Sequence, residues 1–137
     1  MDKDRKIRIL VAKVGCDIHE RGALTLTHAL RNAGMEVIYT GRYQSPEKVA
    51  RVAVQEDVDI IALSDHTGSM TVIASSVLDA LKKQNVIDIR IMAGGLISPK
   101  DVKLLNKMGV SGNYGAGTSL DLIVEHVKRL VKKVAVR

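Results

Sequence analysis

The chain has 137 residues, 46% hydrophobic and 26% charged, which predicts a single domain over residues 1–137 with a core large enough to fold without disulfides. Its one cysteine, Cys16, excludes an intrachain disulfide, and the sequence shows neither a secretory signal nor the ~20 apolar residues of a membrane span, so we expect a cytoplasmic protein that avoids membranes. The net charge is +6, but the absence of Trp and Phe leaves no platform for stacking bases and argues against a nucleic-acid partner.

Short β-branched apolar runs alternate with longer amphipathic segments along the whole chain. The first half predicts strands at 7–12, 36–40 and 59–64, a helix at 22–33, and a second helix that Ser45 caps just ahead of Pro46. The second half predicts a helix at 72–83, a strand at 88–93, a helix from Ser98-Pro99 to Lys107, a strand at 110–114, and a last helix capped by Thr118 or Ser119. This βα series predicts an α/β fold, a doubly wound five-stranded parallel sheet of flavodoxin-like order 2-1-3-4-5.

That topology predicts the position of a binding site before any motif is considered. In the order 2-1-3-4-5 a crevice opens between the first and third strands, at their carboxyl ends. The loops at that point, residues 15–22 and 64–70, are both rich in polar and ligand-type side chains. We therefore expect the functional residues there.

The first of these loops contains Asp17 and His19. A carboxylate at this spacing can accept the imidazole Nδ1–H, which directs the Nε2 lone pair at a metal. Gly22 removes a side chain where a bulky ligand would lie. The alternative is a helix capped by Asp17, with His19 as an ordinary exposed residue.

The remaining candidates follow the later strands. Ser64 ends the third strand, while Asp65 and His66 have three alternatives: they pair with each other, cap the next helix or contact a ligand. The paired glycines Gly94 and Gly95 either relieve crowding or admit a ligand against bare backbone. The glycine-rich segment 115–119 could hold an anion at a helix N-terminus.

Other sites of the same fold class fit the residues less well. A phosphoacceptor receiver would use Asp65, but it also needs an acidic pair after the first strand and a lysine after the fifth, and neither is present. A zinc site from Cys16, His19 and His66 lacks a close-spaced ligand pair. No G-x-G-x-x-G follows the first strand, which excludes the usual dinucleotide site.

Taken together, five segments resemble the cobalamin-binding domain of acyl-CoA mutases, methylmalonyl-CoA mutase above all. They cover nearly the whole chain, in this order: Leu10-Val11-Ala12-Lys13, Asp17-x-His19-x-x-Gly22, Gly34-Met35-Glu36-Val37-Ile38-Tyr39, Met92-Ala93-Gly94-Gly95-Leu96-Ile97 and Tyr114-Gly115-Ala116-Gly117-Thr118.

The resemblance implies a base-off corrinoid, whose dimethylbenzimidazole tail leaves cobalt and enters a slot in this domain while His19 becomes the lower ligand. It also implies that Asp17 orients His19 and that Ser64 hydrogen-bonds the displaced base. The implied cofactor-binding residues are Asp17, Ile18, His19, Gly22, Ser64, His66, Gly94, Gly95, Gly115 and Thr118, with His19 as the metal ligand.

For function, the resemblance implies the small subunit of an adenosylcobalamin-dependent carbon-skeleton mutase, an isomerase that is inactive without a separate (β/α)₈-barrel catalytic subunit. No catalytic residue is expected in this chain. The sequence departs from the family pattern at His66, where the family has leucine, and at Met70, where it has histidine. The alternatives are a corrinoid carrier for methyl transfer, which usually has a helical domain ahead of the histidine motif, and a diverged non-catalytic corrinoid-binding paralogue.

Overall fold

A computed structural model describes residues 5–15, 19–42, 44–115 and 118–135, with side chains as far as residue 131. The elements alternate regularly: β1 (Arg8–Ala12), α1 (Arg21–Asn32), β2 (Glu36–Tyr39), α2 (Pro46–Gln55), β3 (Ile60–Asp65), α3 (Met70–Lys83), β4 (Arg90–Gly95), α4 (Pro99–Lys107), β5 (Ser111–Gly115) and α5 (Leu120–Ala135). The strands are parallel and lie in the order β2-β1-β3-β4-β5, which confirms the predicted flavodoxin-like sheet.

Two of the predicted helix starts are confirmed in detail. The Ser45 hydroxyl accepts a hydrogen bond from the Lys48 amide at 3.1 Å, and the Ser98 hydroxyl accepts one from the Asp101 amide at 3.2 Å. In both cases proline occupies the first turn, where its missing N–H has no partner to lose. The short-range pattern alone therefore determines where α2 and α4 begin.

The start of α1 differs from the capped-helix alternative. The helix begins at Arg21 and its N-cap residue is Glu20, whose side chain makes no capping hydrogen bond. The alternative in which Asp17 caps this helix is therefore wrong, because the N-cap position is three residues later, at Glu20. Asp17 itself lies outside the described residues.

The boundaries around β3 and β4 also lie later than predicted. β3 extends to Asp65 and β4 to Gly95, because the parallel ladder continues through the pairs Ser64↔Gly94 and Asp65↔Gly95. Glycine weakens a strand, so the sequence pattern ended the fourth strand at Ala93. Tertiary pairing overrides that local preference.

The helices form one layer on each face of the sheet. Residues of α2, α3 and α4 pack with one core cluster that includes Leu10, Ile61 and Leu63, whereas α1 and α5 pack with a second cluster that includes Ile9, Val11 and Ile60. The buried residues of α5 include Val127, Leu130 and Val131, at the spacing of one helix face. β1, β3 and β4 therefore send alternate side chains into two separate cores.

Within the described residues, no helix combines the length and apolar character needed to cross a membrane. Lys128 and Arg129 are exposed on α5. Three further basic residues near the C-terminus, Lys132, Lys133 and Arg137, lie beyond the described side chains.

Candidate functional site

A cavity of about 280 Å³ opens at the carboxyl ends of the strands, between the sheet and the helices α1 and α5. The predicted residues that line it are Gly22, Ser64, His66, Gly94, Gly95, Gly115 and Thr118. It was expected between the first and third strands, but its described walls run from β3 across β4 to β5. The shift has a physical reason: the residues at the ends of these strands are small on this face, and they leave space that larger side chains would fill.

His19 lies beside this cavity, at its β1 side. Its side chain is exposed, and its ring centroid is 5.8 Å from that of His66, a residue of the cavity wall. A Cβ atom added at Gly22 would lie 3.4 Å from Cε1 of His66, so the glycine leaves room for that ring. The structure therefore brings His19, His66 and Gly22 together, while Asp17 and Ile18 lie outside the described residues.

The end of β3 separates its polar side chains by strand alternation. Ser64 and His66 line the cavity, whereas the Asp65 carboxylate is buried on the opposite side with 1% exposure. That carboxylate accepts hydrogen bonds from the amides of Thr67 at 3.2 Å and Ser69 at 2.9 Å, and from the Thr67 hydroxyl at 2.8 Å. Asp65 therefore organises the turn that leads into α3 without capping the helix, since the N-cap residue is Ser69 and α3 has no side-chain capping bond.

Gly94 and Gly95 serve different purposes although both line the cavity. Gly95 has φ +122°, and a Cβ there would stand 2.0 Å from the carbonyl oxygen of Asp65, so the backbone of this ladder requires glycine. At Gly94 the nearest atom to an added Cβ would be the Tyr114 carbonyl oxygen at 3.5 Å, an ordinary contact. Only Gly94 is therefore free of a backbone requirement, and its missing side chain leaves space for the cavity.

Tyr114 is a cavity residue to which sequence reasoning gave no role. β5 is irregular, since Met92 pairs with Ser111 but Gly94 pairs with Tyr114, and the extra residue turns the tyrosine toward the cavity. The ring of His126 on α5 supports it edge-on, with centroids 5.5 Å apart. Burial raises the pKa of the Tyr114 phenol above its ordinary value, and the charge of Arg129 partly opposes this. The phenol is therefore a neutral hydrogen-bonding group.

Lys13 is a second residue that sequence reasoning left without a role. It follows directly on the apolar residues of β1 and is only 1% exposed, although a buried ammonium group is costly unless it has polar partners. Its Nζ atom donates to the carbonyl oxygen of Ser64 at 3.5 Å, at the strand end that forms the cavity wall. The sequence feature that could have indicated this role is the position of Lys13, directly after the apolar residues of β1, where another apolar residue would continue the strand.

The zinc alternative receives no support from the described residues, which contain no group of three or more His, Cys, Asp or Glu side chains able to hold a metal ion. Cys16, one of the ligands it would need, lies outside them. A single exposed imidazole next to a mostly apolar cavity instead suits a cofactor that carries its own metal.

Comparison with known proteins identifies the family. The family model described as the B12 binding domain matches residues 7–123. The chain belongs to the B12-binding domain family. Among its relatives, the small subunit of 2-hydroxyisobutanoyl-CoA mutase from Aquincola tertiaricarbonis is 36% identical over 125 residues, which are 91% of this chain and 92% of that protein.

A second relative shows how the same domain occurs within a longer chain. Methylmalonyl-CoA mutase of Escherichia coli (strain K12) is 36% identical over 132 residues, 96% of this chain but only 18% of that protein. Among solved structures, a cobalamin-binding protein from Desulfitobacterium hafniense DCB-2 superimposes with a TM-score of 0.76 at 19% identity, over 92% of this chain and 60% of that one. This likeness supports the flavodoxin-like fold.

The residues around the cavity fit a B12 compound. Such a compound joins a wide corrin macrocycle to a nucleotide tail that ends in a flat aromatic base. The cavity lies just below the ~300–1,000 Å³ typical of whole-ligand sites, so it suits the base rather than the macrocycle. Leu26, Met92 and Ile123 provide apolar walls, while Ser64 and Tyr114 provide hydrogen-bonding groups.

Proposed function

We propose that this chain is the cobalamin-binding subunit of an acyl-CoA mutase and that it holds the corrinoid base-off, with His19 as the lower ligand of cobalt. One observation carries the proposal: residues from the ends of β3, β4 and β5 and from the start of α1 converge on one cavity, and His19 lies at its edge. A domain of the B12-binding family with this arrangement can receive the tail of the cofactor in the cavity and its cobalt at the imidazole.

Each group of residues has a distinct task in this proposal. The exposed imidazole of His19 is accessible to a metal centre above the sheet edge. Ser64 and Tyr114 hydrogen-bond the polar atoms of the tail, and the apolar walls exclude water from its base. Gly94 leaves space that the base occupies, and Gly22 leaves room for the His66 ring at the edge of that space. Asp17, from its spacing, would accept the second ring N–H of His19 and hold the tautomer whose lone pair faces the metal.

When bound, adenosylcobalamin supplies the cleavable Co–C bond whose homolysis starts a radical rearrangement of a carbon skeleton. The residues of this chain bind and orient that cofactor, and none is proposed to touch the acyl-CoA. We propose that a separate (β/α)₈-barrel subunit binds the substrate and that this chain alone is inactive. In support, the relative that matches over nearly its whole length is named as a small subunit.

Electron paramagnetic resonance of added cob(II)alamin tests the ligand assignment. Protein labelled with ¹⁵N only in histidine is compared with unlabelled protein, because the hyperfine pattern of the axial nitrogen changes from triplet to doublet only if histidine is the ligand. We expect that change in the unsubstituted protein. His19→Ala should lose it and weaken cobalamin binding roughly a hundredfold or more.

His28→Ala is the matched control, since His28 is an exposed histidine of α1 outside the cavity wall. It should keep both the signal and the affinity. Cobalamin that binds with its own base on cobalt, or a doublet that persists in His19→Ala, contradicts the ligand assignment.

Reconstitution tests the subunit assignment. The chain is combined with adenosylcobalamin and a separately expressed barrel subunit of a split acyl-CoA mutase, and isomerisation is measured with each component omitted in turn. Isomerisation only in the complete mixture supports the proposal. Methyl transfer to or from the bound corrinoid in place of isomerisation indicates the carrier function.

A further inference from the structure

We infer that Tyr39, Arg42 and Gln44, here called the β2 clamp, position His19 for cobalt by holding both ends of its loop. This inference rests on the proposed function, because it concerns the same histidine. The β2 clamp belongs to the end of β2 and the connection to α2, and none of its residues lines the cavity. Its members are therefore positioning residues, which act through His19.

The exit of the loop is held through Glu20, the neighbour of His19. The Tyr39 hydroxyl donates to Oε1 of Glu20 at 2.6 Å, and Nε of Arg42 lies 3.4 Å from Oε2. Glu20 occupies the N-cap position of α1, where a carboxylate often binds the helix amides, yet its side chain makes no such bond. The carboxylate is used instead to tie the start of α1 to the end of β2.

The entrance of the loop is held through Gln44. Val14 and Gln44 form an isolated parallel bridge. The Gly15 amide donates to the Gln44 carbonyl oxygen at 3.0 Å, and the Gln44 amide donates to the Lys13 carbonyl oxygen at 3.3 Å. The Gln44 side chain is buried, and its Nε2 donates to the carbonyl oxygens of Thr40 at 3.0 Å and Arg42 at 2.9 Å. These last two bonds stiffen the connection itself.

The consequence is that the chain enters and leaves the histidine loop at two points tied to one short segment. A metal ligand on a loop needs such support, because its lone pair must stay aligned with the metal and loops are otherwise mobile. The hydrogen bond from Tyr39 to Glu20 has an ionised acceptor, which makes it stronger than a bond between neutral groups. Because Glu20 is the neighbour of His19, removing this hydrogen bond should affect the metal ligand more than the fold.

Three substitutions and one matched control test this inference in the full chain loaded with cob(II)alamin. Tyr39→Phe removes one hydroxyl, Glu20→Ala removes both contacts of the carboxylate, and Glu20→Gln keeps an oxygen that can accept from Tyr39. Glu36→Gln is the control, because Glu36 pairs with Arg8 at the amino-terminal ends of β1 and β2, away from the β2 clamp. Cobalamin affinity, the nitrogen hyperfine signal of labelled histidine and the melting temperature are measured for each.

We expect Glu20→Ala to weaken cobalamin binding about tenfold, as removal of an outer-shell partner of a metal ligand typically does. Its spectrum should contain a mixture of histidine-bound and base-on cobalt. Tyr39→Phe should give a smaller change of the same kind, and Glu20→Gln should restore most of the unsubstituted signal. Glu36→Gln should leave the signal unchanged.

Unaltered affinity and hyperfine signal in both Glu20→Ala and Tyr39→Phe overturn the inference, whether or not their melting temperatures fall, because that result assigns the clamp a purely structural role. If Glu20→Ala does not fold, Tyr39→Phe decides the question alone. Failure of the proposed function is separate: it shows in the unsubstituted protein, as absence of the histidine signal.

Discussion

The two faces of the sheet differ although the same strands build both. On the side of α2, α3 and α4, alternate residues of β3 such as Ile61 and Leu63 meet large buried side chains. On the side of α1 and α5 the core is closed around Ile60. Further along the same strand, near Ala62 and Ser64, it opens into the cavity. The comparison teaches that the site arises from small residues on one face of the sheet, to which the irregularity of β5 adds Tyr114.

The largest expected effect comes from truncating the closed face. Leu105 of α4 has 0% exposure, so Leu105→Ala should lower the free energy of unfolding by about 2–5 kcal/mol. Ile123→Ala on the cavity wall removes a side chain that is only partly buried, so it should cost less than about 2 kcal/mol, the lower end of the range for a buried isoleucine. Urea unfolding followed by circular dichroism measures both.

Cobalamin affinity should show the reverse order, since Ile123 is a cavity residue and Leu105 is remote from the cavity. Equal stability losses in the two variants would mean that the α1–α5 face is as tightly packed as the other, contrary to the comparison.

The next largest effect is expected from an alanine-to-leucine substitution on each face, which should change stability on one face and cobalamin binding on the other. Ala74 of α3 is fully buried on the closed face, so Ala74→Leu should destabilise by about 1–3 kcal/mol through overpacking. Ala62→Leu points its extra atoms toward the cavity and should leave stability nearly unchanged while abolishing corrinoid binding.

Thermal melts and an absorbance titration with cobalamin test this pair. Tight binding by Ala62→Leu would show that the cavity is not the site of the tail.

A smaller effect is expected where the cavity wall depends on the irregularity of β5. Gly112 has φ +86°, and an added Cβ would stand 2.9 Å from the Tyr114 ring and 3.1 Å from His126. Gly112→Ala should cost about 2 kcal/mol through backbone strain and crowding, and it should weaken cobalamin binding by displacing Tyr114.

Gly109→Ala is the matched control, because Gly109 has φ +87° but no atom within 4 Å of an added Cβ. It should cost about 1 kcal/mol through strain alone and leave cobalamin binding intact. Equal effects of the two variants on binding would exclude the contact with Tyr114 as the cause.

The smallest effect concerns the protonation of Tyr114. Burial raises the pKa of its phenol, so the neutral form is favoured in the folded protein. The contribution of the neutral phenol to the free energy of unfolding is fully present at a pH below the pKa of tyrosine in the unfolded chain. It is lost as the pH rises through the higher pKa of Tyr114 in the folded protein. A phenolate absorbance titration should contain a late phase that Tyr114→Phe removes, and bound cobalamin should move that phase still higher. A titration identical in Tyr114→Phe contradicts the assignment.

Much of the fold followed from short-range patterns. Ser45-Pro46 and Ser98-Pro99 predicted two helix starts correctly, because capping involves residues three apart in sequence. The ends of β3 and β4 were predicted too early, because the pairing of Asp65 with Gly95 depends on a contact between distant segments. Likewise, SGNYG contains no alternation that would predict the orientation of Tyr114.

The sequence by itself determined the βα order and the loops that contain the candidate ligands, since both follow from local periodicity and from the topology rules of parallel sheets. Only the tertiary structure decided which side chains face one another. It brought His66 beside His19, turned Asp65 away to bind the turn before α3, and joined Glu20 to Tyr39. The physical reason is that these contacts depend on strand register and on space left by small residues, both of which exist only once the layers have packed.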